Sequence, residues 1–534
     1  MNAPPFHHPR LPRVALSAIA AIMTVLGGAT LALAQHPPFD GPPVAVSDNT
    51  IDKLVFARLT KLGIPPANTC SDEVFIRRVY LDVIGTLPTE AEVKDLLADT
   101  RANKRSILID KLLDRDEFAD FWALKWSDLL RVKAEFPINL WPNAAEVYHR
   151  WIRTSIRDNK PYDRFARELL TASGSNFRAP EVNFYRAVQS RDPKGLAQAV
   201  ALTFMGSHAE KWPAAQWEGM AGFFSLVSYK ATKEWKEEIV LFDLSKAAAA
   251  PMPKAVFPDG TSATLSADRD PRVDFANWLI TPQNPWFARN IVNRIWSWLA
   301  GRGIIQEPDD IRPDNPPANP ELLAYLEKEL VAGKYDLKHI YRLILNSQTY
   351  QLSCVPKSHD AAAAANFASY PLRRLDAEVL LDAICQITGT TEQYWSATPE
   401  PYTFIPPEQR SIALSDGSIT SSFLESFGRP ARDTGWESER INRATASQQL
   451  ELLNSSHIQK KIEQGPKIQA LFQAGKPIRD TAIDLYLTIL SRYPTEAELR
   501  IVATYSLPAA HPRRAALLDL SWALINSPEF LYRH

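Results

Sequence analysis

The sequence predicts a mainly α, multi-helical scaffold of two domains, with a small β-hairpin element near their junction. Apolar residues recur every three or four positions in both halves of the chain, as in 75–83 and 287–298, which is the spacing of amphipathic helices. Between 238 and 270 the pattern changes to two short β-prone runs, and the turn residues Pro258-Asp259-Gly260 follow the second, which favours a hairpin. At 534 residues the chain is too long for one ordinary core.

Two predicted helix starts share one sequence motif. Thr89 is followed three residues later by Glu92, and Thr495 is followed by Glu498 at the same spacing. A threonine hydroxyl and a glutamate at that spacing form a capping box. The two copies indicate either two related helical hairpins or a coincidence.

Composition shifts divide the chain into five segments. We predict a signal peptide at 1–34, a proline-rich linker at 35–50, an N-terminal helical domain at 51–243, a linker with the β-hairpin at 244–271, and a C-terminal helical domain at 272–534.

The first segment indicates export. Arg10 and Arg13 precede the uncharged stretch 14–34, which ends in Ala32-Leu33-Ala34. This order is typical of a secretory signal cleaved after Ala34, and it predicts a periplasmic, secreted or cell-surface protein. The alternative is an uncleaved membrane anchor, because a bilayer core needs about 20 apolar residues.

Charge and cysteine usage exclude several classes of protein. Lys+Arg number 60 and Asp+Glu 61, without a long run of one sign, which excludes a nucleic-acid surface. Cys70, Cys354 and Cys385 are far apart, so at most one disulfide is possible and a classical zinc site is not predicted. The common catalytic signatures are missing too.

An acidic loop is the weak candidate for a metal site. Asp309, Asp310 and Asp314 lie with Glu307 in a proline-stiffened segment, and carboxylate oxygens are the ligands that calcium requires. The loop lacks the ordered spacing of a known calcium loop. The alternative is that these carboxylates cap helices or pair with arginines such as Arg312.

The segment 427–443 supplies the candidate catalytic residues. Its guanidinium groups suit a carboxylate or sulfate, and its carboxylates suit acid/base work; the candidates are Glu437, Glu439, Arg429, Arg432 and Arg440. Such a set fits an acidic glycan. The alternative is an internal salt-bridge network that ties the long loop 411–447 to the helices.

Two further groups of residues leave alternatives open. Asn290, Asn293 and Arg294 share one helix face and either line a cleft or make buried hydrogen bonds between helices. Several of the 14 tryptophans either form stacking platforms for sugars or pack in the core; they are Trp122, Trp126, Trp141, Trp151, Trp212 and Trp217.

Several motifs resemble one family of secreted proteins of the planctomycete and verrucomicrobial type. The matching stretches are 75–82, 85–89, 284–296, 301–304, 319–323 and 427–430. The family joins a domain of unknown function 1549 to a domain of unknown function 1553 and is often associated with cytochrome c modules. The resemblance covers nearly everything from Ile51 onward.

The departures from that family concern its cysteines. Many relatives carry a Cys-x-x-Cys-His-like haem-attachment segment where this chain reads 205–212, and a Cys-Glu-Cys-Glu-Arg segment where it reads 436–440. A c-type haem needs two thiols and an adjacent histidine, so His208 alone cannot hold one covalently. We therefore expect no covalent haem.

These observations lead to three hypotheses of function. The first is an exported protein of unknown biochemical activity, a non-haem accessory or binding protein for a co-exported partner protein or a polysaccharide. The second is an enzyme acting on an acidic or sulfated carbohydrate through Glu437, Glu439 and the Arg429/Arg432 pair. The third is a redox partner of a separate c-type cytochrome. Convergence of the Asp309 loop and the segment 429–440 on one cavity is the observation that bears most on this choice.

Overall fold

The computed structural model describes residues 39–249, 251–506 and 513–534. The predicted signal peptide at 1–34 and the first four residues of the predicted linker lie outside these ranges. Across the described ranges, each helix is too short or too polar to traverse a bilayer.

The first half of the chain is a succession of helices that begin where the sequence places its caps. Asn49 and Ser71 accept hydrogen bonds from backbone amides at the starts of the first two helices. The helices are α1 (Thr50–Leu62), α2 (Asp72–Val83), α3 (Glu90–Ala98), α4 (Lys104–Leu113), α5 (Asp116–Leu129), α6 (Pro142–Arg157), α7 (Tyr162–Thr171), α8 (Asn183–Arg186), α9 (Pro193–Val200) and α10 (Ala214–Ala221).

Short antiparallel strands and one helix occupy the junction. Strands β1 (Gly174–Ser175) and β2 (Val227–Ala231) flank β3 (Glu238–Phe242), and α11 (Leu244–Ala249) follows. Strands β4 (Ala255–Val256) and β5 (Ser262–Ala263) then form the hairpin around the predicted turn. The first β-prone run pairs with β2 in a separate hairpin.

The second half is helical again, which confirms the predicted fold class. Its elements are α12 (Pro271–Leu279), α13 (Phe287–Ala300), α14 (Pro320–Ala332), α15 (Leu337–Leu345), α16 (Ala361–Ala365), β6 (Arg373–Arg374), α17 (Ala377–Thr388), α18 (Ser422–Ser426), α19 (Ala446–Asn454), α20 (Ser456–Gln464), α21 (Pro466–Gln473), α22 (Ile478–Leu490), α23 (Glu496–Tyr505), α24 (Arg513–Ile525), α25 (Pro528–Leu531) and β7 (Tyr532–Arg533).

Both predicted capping boxes are confirmed. The Thr89 amide donates to the Glu92 carboxylate at 2.8 Å, and the Thr495 amide donates to Glu498 at 2.7 Å. Helices α3 and α23 therefore begin at the predicted positions. Helix α22, which precedes the second box, also packs against α3, so the two hairpins lie side by side.

Helix α2 is held by the far end of the chain. Arg77 donates to the carbonyls of Ile489 and Phe530, each at 2.9 Å, and both residues belong to the second half. Arg78 donates to the carbonyl of His534 at 2.9 Å. One hydrophobic cluster runs through both halves. The two halves of the sequence therefore share a core.

Candidate functional site

The acidic loop and the 429–440 segment meet at one cavity of about 560 Å³. The Glu437 amide donates to Asp309 Oδ2 at 2.7 Å, which joins the two segments directly. The cavity is lined by Asp82, Phe121, Trp122, Lys125, Ser297, Trp298, Gly301, Gln306, Glu307, Pro308, Arg373, Asp376, Glu437, Ser438, Arg440, Ile441, Asn442, Arg443 and Arg533.

Helix α13 positions the acidic loop from beneath. Arg294 is fully buried and forms an ion pair with Asp309. The same guanidinium donates to Asn290 Oδ1 at 3.1 Å. The Asn293 side chain exchanges two hydrogen bonds with the backbone of Ile305, at 3.0 and 2.9 Å. The polar face of α13 thus makes buried hydrogen bonds. This was one of the two roles that the sequence left open for these residues.

Glu437 is the predicted carboxylate that borders the cavity. Its Oε2 accepts from Trp298 Nε1 at 3.2 Å and lies 3.9 Å from Arg294 Nη1. Enclosure by neighbouring side chains, and then the negative charge of Asp309, raise the pKa of Glu437. A carboxyl group with a raised pKa at a cavity wall can donate a proton.

Three other predicted residues lie outside the cavity lining and anchor the long loop. Arg432 is fully buried and donates to Asp128 Oδ1 at 2.9 Å. Arg429 donates to the carbonyls of Ile419 and Asp416. Glu439 accepts from the amide of Asp433 at 2.8 Å, within its own loop. These contacts agree with the interpretation in which the segment belongs to an internal network that ties the long loop 411–447 to the helices.

Arg440 belongs to the internal salt-bridge network and also lines the cavity. Its guanidinium grips Glu378 at 2.6 and 3.1 Å and Asp128 at 2.6 Å, while its edge lines the cavity. Burial alone would lower the pKa of Arg440, but the carboxylates of Glu378 and Asp128 raise it well above its usual range. The residue therefore stays charged.

The cavity floor consists of residues that sequence reasoning missed. Asp376 accepts from Lys125 Nζ at 2.9 Å and from Arg533 Nη2 at 3.0 Å. Asp82 accepts from Arg373 Nη2 at 3.2 Å. Burial would raise the pKa of Asp376, but the surrounding cations, led by Lys125, hold it well below its usual range. The only local signal was a pair of basic residues just before Asp376.

The rim differs from the floor in having a cation without a partner. Arg443 is exposed and makes no hydrogen bond or ion pair with any part of the chain that the structure describes. The buried rings of Phe121, Trp122 and Trp298 border the cavity. The lining therefore offers a cationic floor and one uncommitted guanidinium.

The residues predicted to bind calcium face arginines. Arg312 pairs with Asp310 at 3.0 Å and with Asp314 at 2.7 Å, while Asp309 faces Arg294. Within 39–249, 251–506 and 513–534, no three His, Cys, Asp or Glu side chains form a group able to hold a metal ion. Calcium binding stays a prediction from the sequence.

The two segments 205–212 and 436–440, at which the sequence resemblance led us to expect cysteines, lie next to each other. The His208 ring packs edge-on against the Trp436 ring, with centroids 5.1 Å apart. The Ser207 hydroxyl donates to the Ile311 carbonyl at 2.6 Å, and a Cβ on Gly206 would lie 2.6 Å from Asn290 Oδ1. This segment is closely packed and contains no thiol, and the absence of a covalent haem stays a prediction from the sequence.

The three cysteines lie elsewhere and are free thiols. Cys70 is buried, and Cys354 and Cys385 are half-buried. The single bridge that the sequence allowed is therefore not formed.

Comparison with known families matches the two halves separately. Residues 50–219 match the family described as "Protein of unknown function (DUF1549)", and residues 271–506 match the family described as "Protein of unknown function (DUF1553)". No curated protein matches the chain, and neither does any solved structure. The chain belongs to the family of proteins that carry these two domains of unknown function in this order.

Proposed function

We propose that this protein is an exported, non-haem binding protein whose cavity holds an anionic saccharide. The observation that carries the proposal is the combination of a cationic floor and the unpaired Arg443 at the rim. A guanidinium group without an internal partner binds sulfate or carboxylate oxygens bidentately. Export rests on the N-terminal sequence.

The charged side chains of the cavity lining favour an anionic ligand. The cavity lining contains five cationic side chains, Lys125, Arg373, Arg440, Arg443 and Arg533, and four carboxylates, Asp82, Glu307, Asp376 and Glu437. Lys125, Arg373, Arg440 and Arg533 are paired with carboxylates, so Arg443 is the cation of the lining that has no partner in the described chain. A neutral sugar would leave Arg443 unpaired, whereas a sulfated or carboxylated sugar would neutralise it.

Calorimetric titration with galactose 6-sulfate, galactose and inorganic sulfate tests the proposal. We expect binding of the sulfated sugar, and Arg443→Gln should weaken it about ten-fold through loss of a charge-assisted contact. Arg500→Gln, at an exposed position on α23, is the matched control and should bind like the parent protein. Equal affinity of the parent and the Arg443 variant would refute the assignment of the site.

The raised pKa of Glu437 favours one second candidate, an enzyme that acts on the same class of ligand. In that case Glu437 would protonate the glycosidic oxygen of the bound saccharide as its bond to the anomeric carbon breaks, and water would supply the hydroxyl that replaces it there. Glu437→Gln should then abolish product formation from a sulfated oligosaccharide while retaining its binding. Unchanged turnover in this variant would eliminate the enzyme hypothesis in this form.

A further inference from the structure

Three aromatic side chains form a solvent-facing group away from the cavity lining. We call Trp141, Trp235 and Tyr402 the aromatic cluster. The Trp141 ring lies 6.2 Å from that of Trp235 at 84° and 5.3 Å from that of Tyr402 at 63°. Trp235 is 68% exposed and Tyr402 is 49% exposed. The rings come from the start of α6, the tip of the β2–β3 hairpin and the loop at 399–407.

The aromatic cluster differs from the buried tryptophans. Trp122 and Trp126 lie on α5, are 2% exposed and serve the core, as one interpretation of the sequence predicted. The aromatic cluster leaves large rings in water although three separate segments bring them together. Exposed aromatic groups of this kind mark binding surfaces.

Backbone strain is concentrated at the same place. Trp141 has φ 74° and ψ 145°, a conformation that bulky side chains rarely adopt. Lys236, next to Trp235, has φ 60°. Non-glycine residues in such conformations cluster at active sites, ligand clamps and switch regions. The Trp141 conformation accompanies the packing of its ring against the rings of Trp235 and Tyr402.

Exposed lysines accompany the cluster, together with two exposed carboxylates, Glu234 beside Trp235 and Glu400 near Tyr402 in the sequence. The Lys236 ammonium lies 4.8 Å from the Trp141 ring centroid and 5.3 Å from that of Trp235. Lys230 and Lys233 belong to the same hairpin, are exposed, and make no ion pair with any described residue. Three ammonium groups therefore accompany the rings on one hairpin.

We propose that the aromatic cluster is a second carbohydrate-binding site, which takes an anionic polysaccharide chain. The C–H faces of a sugar ring carry partial positive charge and are attracted to the negative faces of indole rings. Sulfate or carboxylate groups along the polymer pair with the hairpin lysines. Glu234, exposed beside Trp235, favours a polar ligand over a lipid bilayer, because insertion of the hairpin tip would desolvate that carboxylate. This proposal stands whether or not the cavity binds a saccharide.

Affinity electrophoresis of the full-length protein tests the site. The gels contain either dextran sulfate or unsulfated dextran, so that the polymers differ only in charge. We expect retardation by dextran sulfate, weakened about ten-fold in apparent affinity by Trp235→Ala and weakened less by Lys236→Ala. Trp395→Ala and Lys460→Ala are the controls. They change a tryptophan that is 51% exposed and an exposed lysine without an ion pair in the described chain, and they should migrate like the parent protein.

The outcomes separate this site from the cavity and from a membrane surface. Loss of retardation by dextran sulfate in Arg443→Gln, with Trp235→Ala retarded like the parent protein, would assign the polymer to the cavity and overturn the proposal. Equal retardation of the parent and Trp235→Ala would overturn the proposal. So would binding to phosphatidylglycerol vesicles without retardation by dextran sulfate, which would assign the aromatic cluster to a lipid surface.

Discussion

At the floor of the cavity Asp376 accepts hydrogen bonds from Lys125 and Arg533, whereas at the rim Arg443 has no partner among the described residues. The floor charges are enclosed, so each needs an internal counter-charge to offset desolvation. The rim charge is in water and needs none. The difference teaches that the floor is structural and holds the cavity open, while the rim is available to a ligand.

The first prediction concerns removal of a carboxylate from the cavity floor. Asp376→Ala leaves Lys125 and Arg533 enclosed without their shared carboxylate, and we expect a loss of about 3–5 kcal/mol in the free energy of unfolding. Chemical denaturation measures it. Asp310→Asn, at an ion pair near the surface, is the control and should leave the midpoint unchanged. Similar midpoints for both variants would contradict the structural role of the floor.

The second prediction concerns Arg78, beneath the floor. Arg78→Met removes the donor to the carbonyls of His534, Tyr350 and Leu352. We expect about 3 kcal/mol of destabilisation, because buried carbonyl groups lose their partner. Hydrogen exchange should show the greatest loss of protection at 350–352 and at the C-terminus. Protection lost evenly over the chain would argue against this link.

The third prediction uses pH to separate the wall from the floor. The raised pKa of Glu437 means that its contribution to stability is present below the unfolded pKa of about 4.3 and is lost as pH rises through the higher folded value. Glu437→Gln should therefore have a larger free energy of unfolding than the parent protein at pH 7, and the difference should shrink near pH 4. Asp376 has the opposite sign, and its contribution is lost only as pH falls below about 4. A difference in stability between Glu437→Gln and the parent protein that does not change with pH would refute the raised pKa of Glu437.

The fourth prediction is the smallest change in stability. Arg443→Gln should alter the free energy of unfolding by less than about 0.5 kcal/mol, since the side chain is exposed and unpaired within the described chain. The same protein sample should bind galactose 6-sulfate more weakly. Destabilisation on the scale of the Asp376 variant would show that Arg443 belongs to the floor network.

Local sequence was a good guide to elements and a poor guide to the site. The capping boxes at Thr89 and Thr495 were predicted because each involves residues three positions apart. The segment 427–443 was recognised as charged, but its alternating signs could not separate Glu437 at the cavity from Arg432 in the interior. That distinction depends on which helix covers each side chain.

The aromatic cluster shows the same limit. Trp141 was named as either a stacking or a core residue, and the sequence could not pair it with Trp235 and Tyr402. These residues are separated by 94 and 261 positions, and no periodicity connects them. Only folding brings their rings together.

By itself, the sequence determined the helical class and the helix starts at Thr89 and Thr495, because helical spacing and capping act between near neighbours in the chain. The order of the two domains followed from the resemblance of its motifs to a known family. The tertiary structure decided which charges are paired and which are free. Asp82, Asp376 and Arg533 meet at one floor only because α2, α17 and the last strand pack together. The strength of an ion pair depends on distance and burial, and both are properties of the folded chain.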